Sequence, residues 1–251
     1  MKAKHRDRFR VRSYETDPLG RLQVPILCKL LQEAATAHAA ILGVAVDTLI
    51  ENGVAWVLSR LHLEMQRWPT SDEYIVIETW PEAANRLFTE RRFNVVDAAD
   101  NSIGTASTLW LILDLERRRP VRLPAHVVER LGELGLGSEP RRFGDLVTPD
   151  PVDRELAFTV RRSDLDLADH VNNTSYVEWA VEAVPDVVWA SHDLAELEIH
   201  YLSECHHGQT VVSRSQAIDR GDSTDVRHQL TRSDDGVEVA RVLTLWRPRA
   251  S

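Results

Sequence analysis

The sequence predicts an α+β fold in which one plan, a helix followed by an antiparallel sheet, occurs twice. Apolar residues recur at helical spacing in two segments, and each segment is followed by four runs of strand-like alternation. A shift of 149 residues aligns the two halves, so that Asp17 falls on Asp166 and Glu33 falls on Glu182. An internal duplication is therefore the simplest interpretation.

The first half is expected to span residues 1–118. Alternating side chains predict a strand over residues 7–17, and the turn sequence Asp17-Pro18-Leu19-Gly20 follows. A helix is predicted from about Ile26 to Gly43, because apolar residues recur there every three or four positions. The strands expected after it are Ala55–Met65, Tyr74–Trp80, Phe88–Val96 and Thr105–Leu115.

Residues 119–153 are predicted to be a linker, because prolines and arginines are frequent and the only periodic run is Ala125–Leu134. The second half, residues 154–251, then repeats the plan. It has a strand at 158–161 and a helix from about Tyr176 to Val184, which Pro185 ends. Its later strands are expected at Leu194–Leu202, Thr210–Ala217, Thr224–Thr231 and Glu238–Trp246.

The composition indicates a globular protein of the cytoplasm. Apolar residues make up 43% of the chain and charged residues 27%, and no run approaches the roughly 18 apolar residues of a membrane span. The basic N-terminus leads into alternating residues rather than an apolar stretch, so a secretory signal is not expected. Two cysteines suit a reducing compartment. The net charge of −9 argues against nucleic acid as a partner.

The densest polar cluster covers residues 164–173, between a predicted strand and the second helix, and six of its ten residues are Asp, His or Asn. A turn with a helix cap at Asn172, Asn173 or Thr174 would explain one or two of them. The whole run favours a functional site. Amide groups at the helix start could polarise a carbonyl, Asp166 could act as nucleophile or activate water, and His170 could transfer protons.

A second candidate is Glu204-Cys205-His206-His207, which follows the predicted strand at 194–202. Glu204 could orient or deprotonate water. Cys205 could be a nucleophile, although a single cysteine is more often a small buried residue. His206 and His207 would point to opposite faces of a strand and would not bind one ion together, so we expect a loop and no metal site.

Two common catalytic motifs are missing from the sequence. No G-x-S-x-G is present, so a serine-hydrolase elbow is not expected. Gly135-Leu136-Gly137 lacks the third glycine of a dinucleotide fingerprint and follows no convincing strand. The sequence therefore predicts no cofactor.

Several of these motifs resemble those of plant and bacterial acyl-ACP thioesterases, and the resemblance runs from about residue 8 to 247. The matching pieces are Arg12–Glu15, Leu30–Ala34, Met65–Thr70 with Glu78-Thr79-Trp80, Thr108-Leu109-Trp110, Asp164-Leu165-Asp166, His170–Asn173 with Tyr176, and Tyr201 with Glu204-Cys205.

The resemblance implies a tandem (double) hot-dog fold, in which each half is a long helix wrapped by a curved antiparallel sheet. It also implies hydrolysis of fatty acyl-ACP to free fatty acid and holo-ACP, with acyl carrier protein as the partner. By the same resemblance, Asp166, His170 and Glu204 take catalytic positions, and Cys205 takes that of a cysteine once considered the nucleophile. The family usually has Asn at the position where this chain has Ala168. Asn172 or Asn173 could compensate for the missing Asn.

The N-terminal half is expected to supply the acyl pocket of such an enzyme. We predict an apolar tunnel between the first helix and its sheet, lined by Leu30, Leu31, Val57 and Trp110. Asp17 lies in a turn that also resembles the catalytic turn of single-domain hot-dog thioesterases. A turn inherited from the duplication is the simpler interpretation of it, and we retain Asp17 together with Asn173 as candidate substrate contacts.

Two further functions stay open at this point. An acyl-CoA thioesterase would use the same fold with a different carrier, and a non-catalytic acyl-thioester sensor would bind without hydrolysis. A hot-dog dehydratase is disfavoured, because the His/Asp or His/Glu pairing it needs across a dimer is not evident. The sequence leaves open whether the chain forms a homodimer.

Overall fold

The computed structural model of the chain describes residues 4–136 and 139–249. The chain divides into two units, of which the first comprises residues 1–61 and 66–143 and the second residues 62–65 and 144–251. Residues 1–3, 137, 138, 250 and 251, which the predicted domains and linker include, lie outside the described residues. No helix in the described part of the chain is long and apolar enough to span a bilayer.

The first unit contains the predicted long helix and antiparallel sheet. Its elements are β1 (His5–Arg10), a 3-10 turn (Ser13–Glu15), α1 (Val24–Ile41), α2 (Val46–Glu51), β2 (Val54–Met65), β3 (Tyr74–Ala84), β4 (Phe88–Val96), β5 (Ser102–Asp114), β6 (Arg119–Val121) and α3 (Ala125–Glu133). The strands are ordered β1-β3-β4-β5-β2, and β6 pairs with β5.

Helix α1 packs on β1 and β3 through one apolar face. Leu27, Leu31 and Ala34 lie on that face and are fully buried, which is the spacing that α-helical geometry requires. Pro25 stands in the first turn of α1, where its missing N–H costs nothing. Gly43 follows the helix with a φ of +72°, a conformation that ends helices and favours glycine.

The first part of the predicted linker is folded into the first unit. Strand β6 extends the sheet beside β5, and helix α3 contributes Val127 and Leu131 to a buried cluster with Leu42, Leu49 and Ile112. The helix matches the periodic run predicted at Ala125–Leu134, but its place in the core of the first unit does not follow from the proline-rich composition around it. Residues 119–143 therefore belong to the first unit, and the chain passes to the second unit after Phe143.

The second unit repeats the plan with shorter helices. Its elements are β7 (Arg154–Thr159), a 3-10 turn (Arg162–Asp164), α4 (Asn173–Glu182), α5 (Asp186–Ser191), β8 (His192–Tyr201), β9 (Thr210–Asp219), β10 (Thr224–Arg232) and β11 (Glu238–Pro248). The strands are ordered β8-β11-β10-β9-β7, and α4 packs on β9 and β10.

Matching hydrogen bonds in the two units support an internal duplication. In the first unit Glu15 accepts the backbone N–H of Arg12 at 2.8 Å, and in the second Asp164 accepts that of Arg161 at 2.7 Å. Likewise, Trp110 donates to Thr108 and Trp246 donates to Thr244, each at 2.8 Å. The predicted α+β plan of one helix and one antiparallel sheet, used twice, is confirmed.

The core of the second unit contains a buried histidine, His228 of β10. Its Nε2 lies 3.0 Å from the hydroxyl of Thr244, and no part of the residue is exposed to solvent. The Thr244 hydroxyl also contacts the Val226 carbonyl oxygen, to which it donates at 3.4 Å. Burial lowers the pKa of His228 from 6.5 to about 3, so the imidazole is neutral in the folded protein.

We expect His228 to make folding sensitive to mild acid. In the unfolded chain the imidazole binds a proton below pH 6.5, whereas the folded protein does not bind it until about pH 3. The unfolded state therefore binds more protons in this window, and the free energy of unfolding falls by up to about 1.4 kcal/mol per pH unit as the pH drops. Above pH 6.5 the contribution is constant.

Urea unfolding at pH 7.5 and pH 5.0 checks this expectation. His228→Gln should show a smaller loss of unfolding free energy between the two pH values than the unmodified chain. The matched control, His207→Gln, changes an exposed histidine and should keep the full loss. Equal losses in the unmodified chain and in His228→Gln would contradict the prediction.

Candidate functional site

A closed turn in the second unit holds Asp166 and His170. The N–H of Asp166 donates to the carbonyl of His170 at 2.8 Å, and Leu165 and Val171 form an antiparallel bridge outside it. Asp169 lies inside the turn with a φ of +59°, which Asp tolerates better than most residues. The turn leads directly into α4, as the polar cluster predicts.

The segment after β8 runs against this turn. The carbonyl of Cys205 accepts the N–H of Val171 at 3.0 Å, which fixes the segment beside His170. The carbonyl of Glu204 accepts Nη1 of Arg232 at 2.6 Å, and the N–H of His206 donates to Oε1 of Gln209 at 2.8 Å. The backbone of residues 204–206 is therefore held on one side by the turn and on the other by the side chains of Arg232 and Gln209.

These tethers bring His170, Glu204 and His206 together. Oε2 of Glu204 lies 3.7 Å from Nδ1 of His170, and Oε1 lies 3.7 Å from Nε2 of His206. The two imidazole rings meet edge to face, with centroids 4.9 Å apart. The distances exceed those of hydrogen bonds, and a water molecule beside either pair could bond to both of its members.

All three side chains are open to solvent. His170 is 30% exposed, Glu204 37% and His206 50%, which lets water and a substrate reach the carboxylate. An imidazole and a carboxylate at this spacing are the groups that general acid–base chemistry uses near neutral pH.

Asp166 lies on the same turn with its carboxylate exposed. Oδ1 accepts the N–H of Ala168 at 2.9 Å, so Ala168 contributes its backbone to the turn. The second oxygen, Oδ2, accepts no hydrogen bond from the residues that the structure describes. Asp166 thus keeps one oxygen available for a ligand or water.

Cys205 points away from this group into the interior. Its side chain is completely buried, and burial raises the pKa of the thiol, so it stays protonated. A buried, protonated thiol does not suit the nucleophilic role that was one of the two interpretations of Cys205 from the sequence. The alternative interpretation, a small buried residue, describes its position, and its backbone carbonyl holds the turn.

The polar residues at the start of α4 serve the helix. Oδ1 of Asn172 accepts the N–H of Thr174 at 3.0 Å and the hydroxyl of Thr174 at 2.8 Å, so Asn172 is the helix cap. One of the amide groups expected to polarise a carbonyl is therefore already bonded. Asn173 is the first residue of α4 and is half-buried.

The equivalent turn in the first unit carries different side chains. Its backbone bonds are the same: the N–H of Asp17 donates to the Arg21 carbonyl, and the N–H of Leu22 donates to the Pro69 carbonyl, both at 2.8 Å. Arg21 stands at the place of His170, and its Nε and Nη2 donate to Oδ2 of Asp17 at 3.0 and 2.8 Å. The carboxylate of Asp17 is thus bonded within its own turn. This agrees with the interpretation of the turn as a structural element inherited from the duplication.

An apolar cavity lies between α1 and the sheet of the first unit. Ala35 and Ala39 of α1 face Trp56 of β2 and Trp110 of β5 across it. The indole N–H groups are bonded, Trp56 to the Val44 carbonyl at 3.1 Å and Trp110 to Thr108, so both rings present apolar surface.

Of the four side chains predicted to line an acyl tunnel, Trp110 borders this cavity. Leu31 is 1% exposed and packs in the core, and Leu30, five residues before Ala35, is rotated about 140° away from it around the helix axis. Val57 follows Trp56 on a strand and points to the opposite face. Leu30, Leu31 and Val57 therefore lie outside the cavity lining, because the helix turns Ala35 and Ala39 toward it instead.

One wall of the cavity is charged. Nη1 of Arg91 donates to Nδ1 of His38 at 3.0 Å and to Oγ1 of Thr79 at 3.2 Å. Burial lowers the pKa of Arg91 to about 10, and burial together with the Arg91 charge lowers the pKa of His38 to about 4. His38 is therefore a neutral acceptor, and the mostly apolar lining of the cavity also includes the charged residues Arg91 and Glu90.

His206 is the member of the group that sequence reasoning missed. Glu204 and His206 lie two positions apart and are both accessible, whereas Cys205 between them is buried. Such alternation places Glu204 and His206 on one face. The partner of His206 is therefore Glu204. From the sequence, His206 was considered only together with His207.

Comparison with known proteins identifies the family. A model of the acyl-ACP thioesterase N-terminal domain matches residues 2–131, and one of the C-terminal domain matches residues 148–248. The chloroplastic oleoyl-acyl carrier protein thioesterase of Coriandrum sativum is 28% identical over 98% of this chain and 77% of its own length. The chloroplastic dodecanoyl-[acyl-carrier-protein] hydrolase of Cinnamomum camphora is 29% identical over 96% and 67%.

Solved structures support the same assignment. A putative oleoyl thioesterase from Lactobacillus plantarum superimposes with a TM-score of 0.91 at 23% identity, covering 100% of this chain and 98% of that one. The 12:0-ACP thioesterase of Umbellularia californica gives 0.86 at 25% identity, covering 98% and 94%. These likenesses confirm the tandem hot-dog fold. Because both domain models match in order along one chain, this protein belongs to the acyl-ACP thioesterase family.

Proposed function

We propose that this chain hydrolyses fatty acyl-ACP thioesters to free fatty acid and holo-ACP. The observation that carries the proposal is the solvent-accessible pair of His170 and Glu204, held 3.7 Å apart beside the start of α4. Family membership supplies the thioester, and the pair supplies the acid–base groups that its hydrolysis needs.

In the proposed reaction, a water molecule attacks the thioester carbonyl carbon. Either Glu204 or His170 accepts a proton from that water as the new carbon–oxygen bond forms. The carbon–sulfur bond then breaks, and the protonated partner of the pair returns a proton to the leaving sulfur. Asp166 is assigned to orient the attacking water, because the residue is exposed and only one of its carboxylate oxygens is engaged by Ala168. No metal is required.

The cavity of the first unit is the proposed acyl pocket. Its apolar lining suits an alkyl chain, and the two tryptophans supply rigid walls. Acyl carrier protein is the proposed carrier, because the relatives are named as thioesterases and hydrolases of acyl carrier protein substrates. A cytoplasmic location is part of the proposal, because Cys28 and Cys205 are both free and buried.

Replacing the carboxylate of Glu204 tests the chemistry. Glu204→Gln keeps the size of the side chain but removes its charge, so kcat on acyl-ACP should fall by at least about 100-fold. The matched control is Glu198→Gln, which alters another histidine-paired carboxylate, 2.8 Å from His200. Steady-state release of holo-ACP thiol measures both variants.

Asp166→Asn should also lower kcat, because an amide orients water less strongly than a carboxylate. Acyl-ACP binding with no hydrolysis in the unmodified chain would instead indicate the sensor. A rate that is unchanged by both Glu204→Gln and Asp166→Asn would refute the proposed roles.

The carrier can be tested with one acyl chain on two thiols. We expect kcat/KM to be higher for dodecanoyl-ACP than for dodecanoyl-CoA, because the carrier protein adds contacts outside the acyl pocket. The same Glu204→Gln variant should lower both rates by at least about 100-fold. A higher kcat/KM on the CoA ester would favour the acyl-CoA thioesterase.

The cavity can be tested through chain-length preference. Ala39→Phe adds a ring inside the lining, so kcat/KM for long acyl chains should fall relative to short ones by at least about 10-fold. Ala40→Phe places the same ring on the exposed side of α1 and should leave the profile unchanged. Identical profiles for the two variants would place the acyl chain elsewhere.

A further inference from the structure

The group formed by His170, Glu204 and His206 has the donor set of a transition-metal site. One ring nitrogen from each histidine and one carboxylate oxygen of Glu204 all lie within 4.8 Å of one another. Two imidazoles and a carboxylate are ligands that Zn²⁺ prefers, whereas Mg²⁺ and Ca²⁺ prefer sets made of oxygen.

The spacing of the donors suits one ion. Bonds of about 2.0–2.2 Å in a tetrahedral arrangement put neighbouring ligand atoms about 3.4 Å apart. The carboxylate offers one oxygen at 3.7 Å to each imidazole, and a set that uses a single oxygen lies within 4.8 Å, so closing around an ion needs side-chain movements of up to about 1.4 Å. The three side chains are 30–50% exposed, which allows such movements and gives an ion from solution access.

The backbones that carry the three ligands are held in place independently of any ion. The His170 carbonyl accepts from Asp166, the Glu204 carbonyl accepts from Arg232, and the His206 N–H donates to Gln209. Gln209 is itself bonded to Asp234 at 3.1 Å. Because the ligand backbones are ordered in advance, binding costs little conformational entropy.

We propose that His170, Glu204 and His206 form a binding site for a divalent transition-metal ion of the Zn²⁺ type, with its fourth position open to water. Binding would occupy the nitrogen of His170 and the carboxylate of Glu204 that the proposed hydrolysis uses. The ion would therefore be a reversible inhibitor. The inhibition rests on the proposed function, whereas the metal binding does not.

The decisive variants exchange neighbouring histidines. His206→Ala removes one ligand and leaves the proposed acid–base pair intact, and His207→Ala removes an adjacent exposed histidine that is outside the group. Titration of the chelator-treated full chain with ZnCl₂ in a calorimeter should show one equivalent bound by the unmodified protein. His206→Ala should weaken the binding by at least about 10-fold, the lower end of the effect for groups that only support a ligand. His207→Ala should not change it.

A second measurement tests the inhibition. One equivalent of ZnCl₂ should slow acyl-ACP hydrolysis by the unmodified chain and by His207→Ala, and EDTA should restore it. His206→Ala, compared with its own metal-free rate, should resist the ion. His206→Gln provides a second variant if His206→Ala does not fold.

Two results would overturn the proposal: no uptake of Zn²⁺ by the unmodified chain, or equal affinity in the His206 and His207 variants. Zn²⁺ bound with the expected variant pattern but without effect on a measurable rate would overturn the inhibition alone. An absence of hydrolysis in every metal-free sample would instead refute the proposed function, and the calorimetric result would still decide the metal site.

Discussion

Two backbone hydrogen bonds constrain everything else at the candidate site. One closes the turn between Asp166 and His170, and the other ties Val171 to the carbonyl of Cys205. Together they set the register between the turn and the segment after β8. A slip of one residue would bring the buried Cys205 opposite His170 and turn Glu204 inward, because neighbouring side chains of an extended segment point to opposite sides. The pairing of an imidazole with a carboxylate is therefore a consequence of backbone register.

The equivalent turn of the first unit has the same backbone bonds but side chains that cannot do the same chemistry. Its turn has the same two bonds, yet Arg21 occupies the place of His170. By the matching bonds to Pro69 and Cys205, Trp68 stands at the place of Glu204. Backbone bonds do not depend on side chains, so the two copies could keep the turn while their side chains diverged. Arg21 is permanently charged and pairs with Asp17, so this copy has no group that could exchange protons near neutral pH.

Periodicity predicts the helices and strands well, because α1, α4 and their sheets each bury one regular face. It also predicts a helical run at α3, but it does not show that this run, which lies among prolines, packs on Leu42 and Ile112 as part of the first unit. The polar turn is predictable from the sequence, because Asp and Asn favour the backbone conformations that such a turn needs. The side-chain partners were harder to predict. Asn172 is used by the helix cap, Cys205 faces the core, and the partnership of His206 with Glu204 depends on long-range bonds from Arg232 and Gln209.

The difference between two histidine–glutamate pairs of the second unit explains why only one is a candidate for chemistry. His200 and Glu198 are joined by a hydrogen bond of 2.8 Å, and their side chains are 8% and 16% exposed. That pair satisfies itself and leaves no space between its atoms. His170 and Glu204 are 3.7 Å apart and open to solvent. Their mutual attraction is weaker, but a water molecule or an ion beside the pair can contact both of them. The proposed hydrolysis needs a water oxygen at that position and the proposed inhibition needs a metal ion there, so both proposals follow from the same open pair.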